Sequence, residues 1–326
     1  MSSTQTRTIH TVFQAASLGG HGFKNIPIID MQEVTNDDPL IRQQLARELV
    51  KNHGIAEEKI TEAIDAGKKF FALPTETKLK YDSRNSTTVR GYAALLSKNN
   101  DPENNGDFHE GFDIGPENSN SSQQSAMSGE NVWPTPFIPE FKERVLNYYD
   151  AAVSFGRRLF PLFAIALDLP EDFFEDKTRE SASIMRILHY PPQHGPYNDK
   201  VLGIGAHTDM QCFTILWQEP GIDALQVLNA DNRWVNATPI PGTLVINIGD
   251  QLSRWTNDVF KSTFHRASNR SSAERYSMPL FFGVDYNVKL HAIPSCVSAE
   301  RPSKYEVITA GEHVRSRRLA AVYGRK

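Results

Sequence analysis

Cysteine is scarce in this sequence: Cys212 and Cys296 are the only two among 326 residues. So few cysteines exclude a disulfide framework and are typical of a reducing compartment. The N-terminal stretch MSSTQTRTIHTVFQ lacks the apolar centre of a secretory signal. The most apolar stretch, RLFPLFAIALDLP at 158–170, is too short to span a bilayer. We therefore expect a cytoplasmic protein without a membrane partner.

An excess of positive charge is also lacking. The chain has 35 basic and 39 acidic side chains, which gives a net charge of −4. Because no basic block is interleaved with aromatic residues, this balance argues against a nucleic-acid partner. Hydrophobic residues make up 39% of the chain, which is enough to bury a large core.

The first half of the chain combines helical patterns with one strand. KNIPIIDM (24–31) predicts a strand, and helices are predicted at 37–52, at 57–74 and from Phe137 to Leu169. The segment 117–131 is rich in Ser, Asn and Gln and predicts a mobile surface loop, either a linker or a lid.

After Ser181 the hydrophobic pattern changes to a period of two. Seven segments are strand-like and are separated by Gly, Pro, Asn or Asp: SIMRILHYP, FTILWQ, ALQVLN, RWVNATP, GTLVINIG, STFHRAS and RYSMPLFFGV. Many short strands indicate a sandwich or barrel, and the stretch from Tyr305 onward returns to a helical pattern. The predicted fold is mainly β with flanking helices. We divide it into a mixed α/β region at 1–135, which wraps the core, and a region at 136–326.

One His-x-Asp pair begins a strand-like run. Residues two apart in a strand point to the same face, so His207 and Asp209 can present an imidazole and a carboxylate together. His265, in a later strand, supplies a third candidate ligand. Two imidazoles and one carboxylate leave adjacent metal positions open, as in non-haem Fe(II) oxygenases. The alternative is two polar residues that happen to open a strand.

An Arg-x-Ser pair follows ten residues after that histidine. Arg275 and Ser277 would lie on one strand face, where a guanidinium and a hydroxyl form a receptor for a carboxylate. A buried cation without a partner is costly, so Arg275 within an apolar strand implies an anion, which a ligand can supply. The alternative is an ion pair with a core carboxylate.

This order of motifs resembles the 2-oxoglutarate/Fe(II)-dependent dioxygenase superfamily. It is most similar to the isopenicillin N synthase-like branch, and within it to fungal enzymes of the thymine-7-hydroxylase and secondary-metabolism type. The resemblance extends from about residue 24 to the C-terminus. Further stretches carry it: NHGI (52–55), RGY (90–92), EGFDIGPE (110–117), VWP (132–134), RILHYPP (186–192) and NIGDQLSRWTND (247–258).

The resemblance implies a double-stranded β-helix, or jelly roll, with the metal at its open end. It implies that His207, Asp209 and His265 form the catalytic centre and bind Fe(II). It also implies that Arg275, Ser277 and Tyr190 bind 2-oxoglutarate, with dioxygen as the second cosubstrate. Leu188 stands where many plant members have an asparagine, which puts one cosubstrate hydrogen bond in doubt.

Several residues are candidates for contact with a small-molecule substrate. Arg186 matches an arginine that contacts substrate in the thymine-hydroxylase-like branch, and the alternative for it is a salt bridge inside the barrel mouth. Met210 and Phe281 flank the centre as pocket walls. Four further candidates are Arg90, Tyr92, Phe112 and Trp217.

The implied function is oxidation of a C–H bond of a small organic molecule in fungal secondary metabolism, with hydroxylation, desaturation or ring expansion as the outcome. The alternatives are a pyrimidine hydroxylase of nucleobase salvage, an Fe(II) oxidase that does not use 2-oxoglutarate, a zinc hydrolase and a silent binding module. One departure from the family concerns the strand before NHGI. LARELV runs straight into KNHGI, so a peripheral strand of the main sheet is expected to be missing or replaced, either naturally or through a misjudged exon boundary.

Overall fold

The structure, a computed structural model, describes residues 28–31, 49–86, 90–98, 106–117, 129–193 and 202–323. Its N-terminal part contains two strands, two helices and two further strands: β1 (Ile28–Asp30), β2 (Leu49–Lys51), α1 (Glu57–Phe71), α2 (Thr75–Leu79), β3 (Gly91–Ala93) and β4 (Glu110–Ile114). The long helix α3 (Phe141–Ala166) follows. Among the described residues, no helix combines the length and the apolar character needed to cross a bilayer.

The rest of the chain is mainly strand. The elements are β5 (Ile184–Tyr190), β6 (Ile204–His207), β7 (Phe213–Gln218), β8 (Leu225–Leu228), β9 (Trp234–Asn236), β10 (Thr243–Ile248), α4 (Asp250–Trp255), β11 (His265–Ala267), β12 (Arg275–Phe282), β13 (Lys289–Leu290), β14 (Ile308–Thr309) and α5 (Ala310–Tyr323). All seven strands predicted after Ser181 are confirmed.

The strands form two main sheets. Among the described residues, eight strands are ordered β1-β2-β10-β7-β12-β5-β4-β3, and four are ordered β6-β11-β8-β9, while β13 pairs with β14. Leu216 and Val245 of the large sheet pack against Leu225 of the small one, so the two sheets enclose a common interior. This arrangement confirms the predicted fold class, mainly β with a jelly-roll core.

The large sheet has one face toward the helices and one toward the small sheet. Met278, Leu280 and Phe282 of β12 belong to the core that α1 and α3 share with this sheet. The intervening residues of β12 point into the interior, because side chains alternate along a strand. Helix α3 crosses β12 closely at Gly156, where a Cβ atom would lie 2.3 Å from the Phe282 ring. A larger residue at this position would therefore push the helix off the sheet.

The segment before NHGI differs from expectation. The predicted helix at 37–52 is wrong at its C-terminal end, where Leu49–Lys51 forms β2. This strand pairs antiparallel with β10 and parallel with β1, because the edge of β10 offers backbone groups that a helix would leave unpaired. The peripheral strand is thus not missing, because the three-residue strand β2 takes its place. Residues 37–48, and 118–128 of the predicted loop, lie outside the described residues.

The other predicted elements of this half are observed. The strand predicted at 24–31 contains β1, and the helix predicted at 57–74 corresponds to α1. The long helix is shorter than predicted, since α3 ends at Ala166. Strands β3 and β4 extend the large sheet beside β5, so both halves of the chain contribute to one sheet. The division at residue 135 stays a prediction.

Candidate metal centre

Three potential ligands converge at one end of the small sheet. His207 ends β6 and His265 begins β11, and the antiparallel pairing places the two histidines directly opposite each other. Nε2 of each histidine lies 3.6 Å from an oxygen of Asp209. One ligand atom from each residue lies within 4.8 Å of the others. Asp209 follows the end of β6 rather than continuing the strand, which differs from the predicted strand pair.

Backbone carbonyl groups orient both imidazole rings. Nδ1 of His207 lies 2.8 Å from the carbonyl oxygen of Gly205, and Nδ1 of His265 lies 3.0 Å from that of Thr263. A carbonyl oxygen only accepts, so each Nδ1 is the donor and a neutral ring presents the lone pair of Nε2 to the centre. Both rings are therefore arranged to bind a metal through Nε2.

Asp209 is buried and held through one of its oxygens. Thr214 Oγ1 and Asn247 Nδ2 donate hydrogen bonds of 2.5 and 2.7 Å to its Oδ2. Burial acts to raise the pKa of Asp209, but the adjacent His265 and His207 outweigh this effect and hold the pKa well below its usual range. The carboxylate is therefore ionised, as a ligand for a cation must be.

His265 shows the reciprocal effect. Burial acts to lower its pKa, but the Asp209 carboxylate outweighs burial and raises the pKa above its ordinary value. The buried carboxylate thus attracts positive charge to the point between the two imidazoles. A divalent cation bound by the same three side chains would supply this positive charge.

The start of α4 holds the loop that contains Asp209. The backbone N–H of Asp250 donates to the carbonyl oxygen of Asp209 at 2.7 Å, and Gly249 N–H donates to that of Cys212 at 2.9 Å. A Cβ atom on Gly249 would lie 2.2 Å from the Gln211 carbonyl oxygen, so this approach requires glycine. Sequence reasoning noted NIGDQLSRWTND as a family landmark but missed these contacts.

Arg275 is buried without an anionic partner among the described residues. It is 1% exposed, its Nη2 donates to Gln218 Oε1 at 3.3 Å, and its guanidinium lies 4.6 Å from the Tyr190 ring centroid. Its Nε and Nη1 have no hydrogen-bond partner among the described residues. The core-carboxylate alternative therefore lacks support, and a buried cation with free donors demands an anion.

The other cosubstrate candidates lie around Arg275. Tyr190 is opposite Arg275 and Leu188 is opposite Ser277 in the pairing of β5 with β12. Tyr190 also packs with Ala267 of β11, two residues beyond His265. The arginine pocket and the ligand cluster are thus linked through β11.

Arg186 forms a salt bridge inside the barrel mouth. Its Nε lies 2.8 Å from Asp113 Oδ1 and its Nη2 donates to Oδ2 at 3.0 Å, while Lys98 pairs with the same carboxylate at 3.0 Å. Arg186 and Asp113 face each other in the pairing of β4 with β5. This is the alternative considered for Arg186, and it leaves Nη1 outside the ion pair.

Two pocket-wall candidates lie near the centre. Phe281 is opposite Thr214 on the interior side of the large sheet, and Thr214 donates to Asp209. Met210 directly follows Asp209 and is half-buried. Their contact with a substrate stays a prediction.

Three other pocket candidates face the helices instead. The rings of Tyr92 and Phe112 lie 5.7 and 4.8 Å from Phe70 of α1, and Trp217 packs against the same helix-side core. Alternation along each strand explains the error, because Trp217 lies between the interior positions 216 and 218. These three residues do not line the interior, and the prediction is wrong for them.

Arg90 contacts the segment that follows β4. It is 1% exposed and donates to the backbone carbonyl oxygens of Pro116 and Gly129. A Cβ atom on Gly115 would lie 2.5 Å from Arg90 Nη2, so the guanidinium packs against this segment. Its guanidinium therefore holds the segment after β4, and a contact of Arg90 with a substrate stays a prediction.

The sequence matches two family profiles. The 2OG-Fe(II) oxygenase superfamily matches residues 181–284, and the N-terminal family of non-haem dioxygenases in morphine synthesis matches residues 26–136. A 2-oxoglutarate-Fe(II) type oxidoreductase of Emericella nidulans is 34% identical over 89% of this chain and 88% of its own length. A homoarginine-6-hydroxylase of Oryza sativa is 32% identical over 90% of this chain and 97% of its own length.

Solved structures agree with this fold. A putative 2OG-Fe(II) oxygenase family protein of Caulobacter crescentus has a TM-score of 0.81 and 32% identity, and the match covers 90% of this chain and 98% of that one. A full-length Neurospora crassa protein, solved in complex with alpha-KG, has a TM-score of 0.80 and 28% identity, over 91% of this chain and 96% of that one. The chain therefore belongs to the 2OG-Fe(II) oxygenase superfamily, as a dioxygenase that depends on Fe(II) and 2-oxoglutarate.

Proposed function

We propose that His207, Asp209 and His265 are the Fe(II) ligands of this enzyme. The donor set fits the ion, since two imidazole nitrogens and one carboxylate oxygen on one side leave adjacent positions open. Fe(II), 2-oxoglutarate and dioxygen together supply an oxidant strong enough to attack a substrate C–H bond. The protein holds the ligands ready, with both Nδ1 protons and one Asp209 oxygen already engaged.

Arg275, Ser277 and Tyr190 are the proposed site for the far carboxylate of 2-oxoglutarate. The observation that carries this proposal is the buried guanidinium of Arg275, whose Nε and Nη1 have no partner among the described residues. Tyr190 stacks beneath the guanidinium and Ser277 is 1% exposed on the same face. A carboxylate in this pocket would be bound by charge-assisted hydrogen bonds away from water.

Arg186 is the proposed contact for the substrate. Its Nε and Nη2 are held by Asp113, so Nη1 remains to donate to an oxygen of the substrate. The strand face that carries Arg186 also carries Leu188 and Tyr190, which leads from the substrate side to the cosubstrate side. Phe281 and Met210 would complete the walls, and solvent exclusion by such walls protects the reacting centre.

The substrate class that fits these walls is a small, flat, oxygenated molecule, and fungal secondary metabolism is its proposed setting. A Penicillium crustosum 2-oxoglutarate-dependent dioxygenase is 34% identical over 77% of this chain. Hydroxylation is the simplest outcome, and desaturation or ring expansion would follow if the substrate radical reacts further. The substrate carbon must lie close to the metal in each case.

A pyrimidine is the second candidate substrate. The Neurospora crassa protein has also been solved with alpha-KG and thymine, and that structure has 27% identity and a TM-score of 0.79. Nη1 of Arg186, which lies outside the ion pair with Asp113, suits a ring carbonyl as well as a carboxylate.

A screen for substrate-stimulated succinate release tests the proposal. The enzyme is incubated with Fe(II), 2-oxoglutarate and dioxygen against oxygenated ring compounds, with thymine and uracil included. We expect stimulation by one chemical class and none in the Arg275→Met variant. A product that forms without succinate would contradict the role of 2-oxoglutarate. A product that forms without dioxygen would favour the alternative of a zinc hydrolase.

A further inference from the structure

The C-terminal helix α5 contacts residues 208–210, the segment that follows His207 and contains Asp209. His313 Nε2 donates to the carbonyl oxygen of Met210 at 3.1 Å. Arg317 Nη2 donates to Thr208 Oγ1 at 3.1 Å and pairs with Asp250 Oδ2 at 2.7 Å. Thr208 lies between His207 and Asp209, so the helix reaches the loop at its centre.

The start of α5 is fixed independently of this loop. Thr309 and Glu312 form a capping box, in which Glu312 N–H donates to Thr309 Oγ1 and Thr309 N–H donates to Glu312 Oε2. Ala310 N–H also donates to the Val288 carbonyl oxygen at 2.8 Å. A helix anchored in this way presents His313 and Arg317, one turn apart, on a single face.

The Thr208 hydroxyl joins the two anchors of the loop. It donates to Asp250 Oδ2 at 3.2 Å while it accepts from Arg317. Asp250 itself holds the Asp209 carbonyl oxygen through its backbone N–H. Arg317 therefore closes a ring of contacts around the segment that separates the first two ligands.

We propose that Arg317 and His313 are positioning residues for the metal. They hold the 208–210 segment so that His207 and Asp209 stand at binding distance before the ion arrives. Without Arg317, Thr208 loses its partner on α5 and the segment keeps only its contacts to α4 and to His313, so some order must then be created when the metal binds. This inference depends on the ligand assignment proposed above.

If Arg317 had a purely structural role, its loss would lower the stability of the whole fold. The Arg317 side chain is 45% exposed and that of Asp250 is 18% exposed. Ion pairs as exposed as this contribute little to global stability. Loss of Arg317 should therefore affect the loop and the metal affinity while the thermal unfolding midpoint stays the same.

The test is calorimetric titration of Co(II), a redox-stable probe, into the metal-free protein. Variants Arg317→Ala and His313→Ala are compared with Arg315→Ala, which removes an exposed arginine of the same helix, and with His207→Ala. We expect the Co(II) affinity to fall about tenfold in Arg317→Ala and to fall in His313→Ala. Arg315→Ala should bind like the wild type, and His207→Ala should lose binding.

Hydrogen exchange provides the second readout. Exchange at 208–212 should rise in Arg317→Ala while exchange in β7 and β12 stays at the wild-type rate. If His207→Ala loses Co(II) binding but Arg317→Ala binds like the wild type, the ligand assignment is supported and the positioning role of Arg317 is wrong. If His207→Ala binds like the wild type, the ligand assignment itself fails. A lower melting point with faster exchange throughout Arg317→Ala would show a general structural role and overturn the inference.

Discussion

Asn247 donates a 2.7 Å hydrogen bond to Oδ2 of Asp209, which lies 38 positions earlier in the chain. The bond occupies the same oxygen that accepts from Thr214, so it fixes the plane of the carboxylate. Groups that orient a ligand in this way typically contribute a factor of about 10–100 to metal affinity.

Asn247→Ala should therefore weaken Fe(II) binding by about 10–100-fold, because Asp209 loses its orientation but keeps its charge. Anaerobic Fe(II) titration measures this change. Asn236→Ala, at an exposed position of β9, is the matched control. Equal Fe(II) affinity in Asn247→Ala and Asn236→Ala would show that Asn247 does not orient the ligand.

Arg275→Met should separate binding from stability. Loss of a buried charge contact should cost about 2–5 kcal/mol of 2-oxoglutarate binding free energy. The free energy of unfolding without 2-oxoglutarate should stay level or rise by up to about 2 kcal/mol, because the variant no longer buries a cation without an anion.

Chemical denaturation and 2-oxoglutarate titration check both parts. Arg233→Met, at an exposed arginine, controls for loss of a charge. A large loss of stability in Arg275→Met without ligand would mean that the guanidinium has a structural partner in the folded protein.

Arg186→Leu should affect the substrate but not the cosubstrate. A hydrogen bond to a charged group contributes about 1.5–3 kcal/mol, so the substrate-stimulated part of succinate release should fall at least about tenfold. The affinity for 2-oxoglutarate should remain unchanged, because Arg275 and Tyr190 are untouched. An unaltered response to substrate would leave Arg186 with only its salt bridge to Asp113.

Glu110 predicts a pH dependence of stability. Its carboxylate is buried and accepts hydrogen bonds from Lys78, Tyr92 and His189. Burial acts to raise its pKa, but these partners outweigh burial, and the pKa of Glu110 lies below its ordinary value of 4.5. The ionised form thus stabilises the fold, fully above pH 4.5 and progressively less as pH falls through the folded pKa.

Glu110→Gln should therefore unfold with a shallower dependence on pH below 4.5 than the wild type. It should also be less stable at neutral pH by about 3–5 kcal/mol, because Lys78 loses its buried partner. Denaturation at several pH values measures both effects. Glu143→Gln, at an exposed position of α3, should keep the wild-type slope, and an identical slope in Glu110→Gln would contradict the prediction.

The sequence allows the proposed ligands to be predicted because their chemistry is local. His207 and Asp209 are two residues apart, and His265 and Arg275 each occur in a distinct short motif. The β-rich class follows from alternation along the strands after Ser181. The direct pairing of His265 with His207 requires the sheet register, which alternation alone does not determine.

The errors arise where contacts of the folded chain decide the outcome rather than the local sequence pattern. Tyr92, Phe112 and Trp217 are expected in the interior from the sequence, but a shift of one residue along a strand moves a side chain to the other face. Leu49–Lys51 has a helical pattern, yet the edge of β10 recruits it as a strand. The supports of the site, Asn247 and Arg317, lie 38 and 109 positions from their partners, so only the folded chain shows them.

The most direct test of the site is anaerobic calorimetric titration of 2-oxoglutarate into the Fe(II)-loaded protein. The wild type should bind one equivalent. His265→Ala, which lacks a ligand, should retain little Fe(II), and Arg275→Met should retain Fe(II) but bind 2-oxoglutarate far more weakly. Undiminished 2-oxoglutarate binding in both variants would contradict the proposed iron and cosubstrate site.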